Sequence, residues 1–143
     1  MTELTAEDTE SAERRSKDEL LSRSIIGAAI AVHKSLGPGL LESAYEACLA
    51  AEFRHQGLSF NRQVPVMVRY RGEVVDCAYR LDFLVEDRVI VEIKSVDKLG
   101  PVHQAQLLSY LRLTTKCLGL LINFNVPKLI DGVQRLVHEY HAS

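Results

Sequence analysis

Aromatic residues make up only 6% of this sequence and tryptophan is absent, so little surface is set aside for stacking on flat ligands such as bases. Its three cysteines, Cys48, Cys77 and Cys117, are odd in number, widely spaced and without a C-x-x-C pair. That argues against a disulfide frame or a zinc site and for reduced core thiols in a cytoplasmic protein. No apolar run approaches the ~20 residues of a membrane span, so no membrane partner is expected. The N-terminus, M-T-E-L-T-A-E-D-T-E-S, has neither the basic start nor the apolar core of a secretory signal. Internal repeats and low-complexity tracts are missing too. A strong charge of either sign is also lacking, with a net of −2.

What is present is an ordinary globular composition, 47% hydrophobic over 143 residues, which excludes wholesale disorder and is expected to form one domain. The charge is unevenly placed: residues 1–19 hold seven acids and three bases, leaving 14 bases against 12 acids in the rest. A weakly basic body permits nucleic-acid binding without announcing it. Residues 1–15 are acidic and aperiodic and read as a flexible tail, with the domain over 16–143.

Ser16 and Glu19 form an S-x-x-E capping box ahead of Leu20, Leu21, Ile25, Ala28, Ala29 and Val32, which predicts a helix to about Ser35. Gly37-Pro38-Gly39 breaks it. A second helix follows from about Leu40 to Gln56, with Leu41, Ala44, Cys48, Leu49 and Phe53 on its apolar side and Glu42 at the border. Read without context, Glu42 is a boundary acid reaching solvent. The period then switches to two over Val64–Tyr70 and Val75–Phe83, around a two-residue turn at Arg71-Gly72 that sets Val68 opposite Val75 and Val66 opposite Cys77. A third strand runs from Val89 to Val96. A third helix covers about Val102 to Thr114, with Ala105, Leu108 and Leu111 on one side and His103, Gln106, Leu107 and Tyr110 on another. Cys117 to Ile122 is a strand buried on both faces. Val133 to Tyr140 is an edge strand or, alternatively, a helix. The order ααβββαβ plus a short C-terminal element defines an α/β fold, a mixed central β-sheet flanked by α-helices.

The chemistry gathers in Y-R-L-D-F-L-V-E-D-R-V-I-V-E-I-K-S-V, Tyr79 to Val96. An E-x-K triplet alone is weak, since 12 glutamates and six lysines supply roughly 0.5 by chance. Here Glu92 and Lys94 share one face of a strand whose neighbours demand burial, so they are either paired with each other or with Asp82, or they are functional. As a site, Asp82 and Glu92 would ligate Mg²⁺, with Mn²⁺ as the alternative ion, the Ile93 carbonyl and waters completing the shell and Glu42 adding a third carboxylate. Lys94 would orient the attacking water or stabilise charge on the phosphoryl oxygens.

A helix glutamate, then D-x9-E-x-K over a strand pair, then Q-x-x-x-Y on a helix resembles the PD-(D/E)xK nuclease superfamily. G-P-G-L-L-E-S-A-Y-E, with G-x-x-E-x-x-Y as Gly39, Glu42 and Tyr45, resembles more closely the small GxxExxY group, as do D-C-A-Y-R-L-D, V-I-V-E-I-K, H-Q-A-Q-L-L-S-Y-L and L-I-N-F-N-V-P. The likeness covers about residues 20–138. It implies a restriction-endonuclease-like core, catalytic Asp82, Glu92 and Lys94, Glu42 in the acidic helix position, and Gln106, Tyr110 and Tyr45 as auxiliary residues. Leu81 stands where the motif has proline. The expected activity is phosphodiester hydrolysis in nucleic acid, DNA before RNA, with room for a homodimer. The rival is a catalytically silent nucleic-acid- or protein-binding module on the same fold; a structural dimer whose Glu–Lys cluster only fixes specificity is a third reading.

Parity at the Glu86–Arg88 turn decides whether a site exists. A two-residue turn at Glu86-Asp87 pairs Asp82 with Val91 and sends Glu92 and Lys94 to the wrong face. A three-residue turn pairs Val85 with Val89 and sets Asp82 opposite Glu92. A site therefore needs the odd turn or a β-bulge making up the difference, and with no glycine available the odd turn requires Asp87 or Arg88 to be left-handed, or a longer loop.

Overall fold

The computed structural model describes residues 5–140, so readings that fall on residues 1–4 or 141–143 lie outside the described residues. The chain runs α1 (Ala6–Leu36), α2 (Glu42–His55), β1 (Phe60–Pro65), β2 (Val68–Tyr70), β3 (Glu73–Val75), β4 (Arg80–Val85), β5 (Val89–Lys94), α3 (Pro101–Thr114), β6 (Leu118–Asn123), a 3-10 turn (Leu129–Gly132) and β7 (Val133–Val137). Five strands make a mixed sheet in the order β1-β4-β5-β6-β7, parallel only between β5 and β6, and β2 and β3 form a separate hairpin. The C-terminal element is therefore the edge strand rather than the helix. No helix among the described residues is long and apolar enough to cross a membrane.

Alternation along β5 divides its side chains between two cores. Val89, Val91 and Ile93 join Ile25, Ala28, Tyr45, Leu49 and Phe53 beneath α1 and α2. Ile90 joins Leu107, Tyr110 and Leu111 beneath α3. β6 is buried at all six positions, as a strand covered on both faces must be. Gly119 at its centre lets α3 close in: a Cβ there would sit 2.8 Å from a Leu107 methyl.

Three expectations need correction. The first helix starts at Ala6, not Ser16, because Thr5 and Asp8 form the reciprocal capping box, and Ser16 lies inside the helix. Its early turns carry no apolar stripe; tertiary contacts hold them, with the Ser11 hydroxyl donating to the Tyr140 carbonyl (2.8 Å) and Arg15 lying 5.0 Å over the Tyr140 ring. The stretch read as an aperiodic tail is thus helical from Ala6 onward. Second, Leu20, Leu41 and Leu108 are exposed, and α3 turns Leu107, Tyr110 and Leu111 inward. Cys77 is exposed as well, so it is no core thiol. Third, the long two-strand ribbon is interrupted. Val68 does pair with Val75, but Val66 donates its N–H to the Tyr79 carbonyl instead of facing Cys77, and Ala78 is left-handed. β1 reaches back to Phe60 and pairs with β4.

Asp18 is a buried acid on α1. It accepts from Arg88 (3.1 Å) and from the Tyr140 hydroxyl (3.0 Å), tying the helix to the β4–β5 turn and the C-terminal segment. Asp18→Ala leaves both donors without their acceptor and should cost about 1–3 kcal/mol in urea unfolding. Glu19→Ala, which breaks only the exposed pair with Arg135, should change stability by less than about 0.5 kcal/mol.

Candidate metal and catalytic site

The β4–β5 turn has odd parity. Val85 pairs with Val89 and Phe83 with Val91, so the next pair along the register is Asp82 with Glu92. Glu86 and Asp87 are both left-handed, at φ 52° and 54°, and the Arg88 N–H closes the turn on the Val85 carbonyl. Beyond Phe83 the backbone ladder stops and side chains take its place. The Asp82 N–H donates to Glu92 Oε1 at 3.3 Å, and the Ile93 N–H donates to Asp82 Oδ2 at 2.8 Å. Leu81 and Phe83, two residues apart, pack into opposite cores, so the alternation of β4 fails at Asp82 itself.

The electrostatics follow from that crossing. Burial first, then the charge of Asp82 and the hydrogen bond between the two carboxyl groups, push Glu92 from its ordinary 4.5 up to about 9, against the pull of the Asp82 amide and the Lys94 ammonium. Lys94 follows Glu92 on the same face, is half-buried, and makes no ion pair among the described residues. Across the gap, burial and then Glu92, Tyr79 and Asp82 push the Tyr110 phenol up to about 12, so it stays a neutral hydroxyl. Gln106 lies one turn earlier on α3, half-buried.

A cleft of about 200 Å³ opens beside Asp82, lined by Glu42, Ser43, Glu46, Gln63 and Ile93. Glu42 is exposed there, and no three His, Cys, Asp or Glu side chains among the described residues form a group that could hold a metal ion. Asp82 and Glu92 are thus a pair, and Glu42 borders the cleft without completing a third carboxylate. Tyr45 does not face the cleft as a reactive group. Its ring stacks on Phe124 (4.5 Å), and its hydroxyl donates to the Gly37 carbonyl (2.6 Å) and accepts from the Leu40 N–H (3.1 Å). That clamps the Gly37–Leu40 turn and so sets where α2, and Glu42 with it, begins.

Three cleft residues, Ser43, Glu46 and Gln63, escaped the sequence reading. Glu46 shares a helix stripe with Glu42, a signal visible in the i, i+4 spacing. Gln63 had no signal, because it precedes the alternating run and adopts a left-handed φ of 52° within a strand. Its amide donates to Glu46 (2.6 Å) and Asp82 (3.4 Å).

This chain matches the model of the PD-(D/E)XK nuclease superfamily over residues 19–136, and it belongs to that superfamily. Comparison with curated proteins and with solved structures gave no match. Three helices around a mixed five-strand sheet are accordingly the restriction-endonuclease-like fold. Nucleases of this superfamily generally use divalent metal ions and act on nucleic acid. The donors here fit such an ion: both are carboxylates, oxygen only, and each is already oriented by a bond to backbone or amide.

Because Glu92 binds its proton more tightly folded than unfolded, its contribution to stability is complete below pH 4.5 and is lost as pH rises towards 9. In EDTA, stability should fall across that window with a slope on the order of 1 kcal/mol per pH unit at most, and Glu92→Gln should flatten it. Urea titrations at pH 5, 7 and 9 read this directly. At Gln63, the glycine variant should be more stable than the alanine variant by about 1 kcal/mol, since only glycine tolerates the left-handed backbone without strain. Equal stabilities would mean that the strain is absent.

Proposed function

We propose that this protein is a divalent-metal-dependent nuclease of the GxxExxY type that hydrolyses phosphodiester bonds in nucleic acid, DNA before RNA, with Mg²⁺ as its ion and Mn²⁺ as a substitute. The observation that carries this reading is the crossing of Asp82 and Glu92 at the open end of the β4–β5 ladder, with Lys94, which makes no ion pair among the described residues, following on the same face. Asp82 and Glu92 would hold the ion, with the Ile93 carbonyl and, through water, Glu42 as further oxygens. The ion supplies a bound water of lowered pKa and neutralises the scissile phosphate. To act as a ligand, Glu92 gives up the proton that burial and Asp82 hold on it. Lys94 lends positive charge to phosphoryl oxygens as they become more negative, or orients the attacking water. Tyr110, neutral at physiological pH, donates its hydroxyl beside the carboxylate pair, and Gln106 supports the phosphate from the same helix.

A catalytically silent binding module on this fold is the second reading. What favours it is the lack of a third carboxylate or imidazole gathered with Asp82 and Glu92 among the described residues. Cleavage of single- and double-stranded DNA and RNA in Mg²⁺ or Mn²⁺ separates the two. Lys94→Ala should lower the rate by about 10²-fold or more while sparing fold and metal affinity. Glu92→Ala should lose metal binding as well, measured by calorimetry. Wild-type protein inert on every substrate with both ions would leave the silent module standing, and equal residual cleavage in both variants would mean a contaminating nuclease.

A further inference from the structure

The β2–β3 hairpin is built unlike the rest of the chain. Its strands are three residues each, they pair only with one another, and nearly every side chain from Met67 to Arg80 is exposed. A two-stranded ribbon of this size is marginal in water unless something covers it. Tyr70 and Tyr79 are the only exposed aromatic rings among the described residues, at 66% and 47%. Arg69 and Arg71 flank Tyr70 and make no ion pair among the described residues. Of the two acids on the ribbon, Asp76 is turned to the Ala78 N–H (2.8 Å) and Glu73 faces Tyr70 across the strands. Left-handed Arg71 and Gly72 make the tight tip next to Tyr70. Four residues, Asp76 to Tyr79, join the ribbon's second strand to β4; Tyr79, the last of them, is three residues from Asp82, and its ring lies 6.1 Å from that of Tyr110.

We propose that this hairpin is an arm that holds an unpaired stretch of DNA leading away from the cleft, with Arg69 and Arg71 on the phosphates and Tyr70 as the stacking surface. The proposal rests on the nuclease reading and adds the state of the substrate to it. A duplex offers an outer ribbon its phosphates and groove edges, whereas only unpaired bases offer a flat face to a tyrosine ring. Arginines on either side of the ring follow the backbone between successive bases. Among the described residues, the two exposed tyrosines thus stand one between Arg69 and Arg71 in the chain and the other near Tyr110 at the approach to the carboxylate pair.

Binding is measured in EDTA, so that cleavage plays no part, by fluorescence anisotropy of a labelled single-stranded oligodeoxynucleotide and of its duplex. Tyr70→Ala should weaken single-strand binding roughly tenfold and duplex binding much less, with Tyr70→Phe restoring it. Arg69→Ala with Arg71→Ala should reduce the log–log salt slope on the single strand by about 1.4, roughly 0.7 for each of two phosphates. The hairpin tip lies outside both cores, so thermal melting of the variants should match wild type. Duplex binding as tight as single-strand binding, or affinity indifferent to Tyr70, would overturn the arm. So would a dimer by light scattering that Tyr70→Ala dissolves, because the ribbon would then be a contact between copies. Tyr70-dependent binding without cleavage in Mg²⁺ or Mn²⁺ would keep the arm and remove the nuclease; cleavage with KM unchanged by Tyr70→Ala would do the reverse.

Discussion

Two carboxylates stand where the β4–β5 sheet would otherwise have a rung of backbone hydrogen bonds. The Asp82 amide reaches for Glu92 and the Ile93 amide reaches for Asp82, so each acid is held by the strand opposite to its own. Backbone donors need partners, and here side chains meet that need while bringing two like charges together in a buried place. The crowding is relieved by a proton on Glu92 or by a cation. A structural ion pair with Lys94 would have relieved it more simply, but Lys94 makes none among the described residues.

That crossing depends on a turn which is locally unfavourable. Glu86 does not adopt a left-handed backbone readily and costs on the order of 1 kcal/mol there, whereas Asp87 is a residue type that tolerates it better. Each turn residue is held by a different element. Glu86 is bonded to Ser59 through both backbone and carboxylate, Asp87 to Lys116, and Arg88 to the buried Asp18 on α1. The exposed Asp87 pair contributes little; the enclosed Asp18 pair contributes most. At the far end of β5, buried Asn123 accepts from the Val96 N–H and donates to the Val96 carbonyl, which fixes the strand just past Lys94. The early turns of α1, polar on every side, therefore belong to the scaffold of the site even though they lie far from it in sequence.

Much of the fold was legible because it is written in period and punctuation. V-I-V-E-I-K and C-L-G-L-L-I are too apolar to be anything but central strands, and Arg71-Gly72 adopts the tight turn that its residues favour. The candidate site was legible in part: Asp82, Glu92 and Lys94 come from residue types that such strands do not bury without a reason. Glu42 could be placed on a helix border but not at a distance. Gln63 could not be found at all, since a left-handed glutamine inside a strand contradicts local preference and is held by its neighbours.

By itself, then, the sequence determined the α/β class and the membership of the PD-(D/E)XK superfamily, because those rest on apolar spacing and on motifs that span a few residues each. Tertiary structure alone decided which acids meet. The parity of the Glu86–Arg88 turn, the N-terminal start of α1, the distance of Glu42 from the carboxylate pair and the entry of Gln63 into the cleft all turn on contacts between segments remote in the chain. Local preferences at those points differ by about 1 kcal/mol or less, and a single buried partner such as Asp18 is enough to outweigh them.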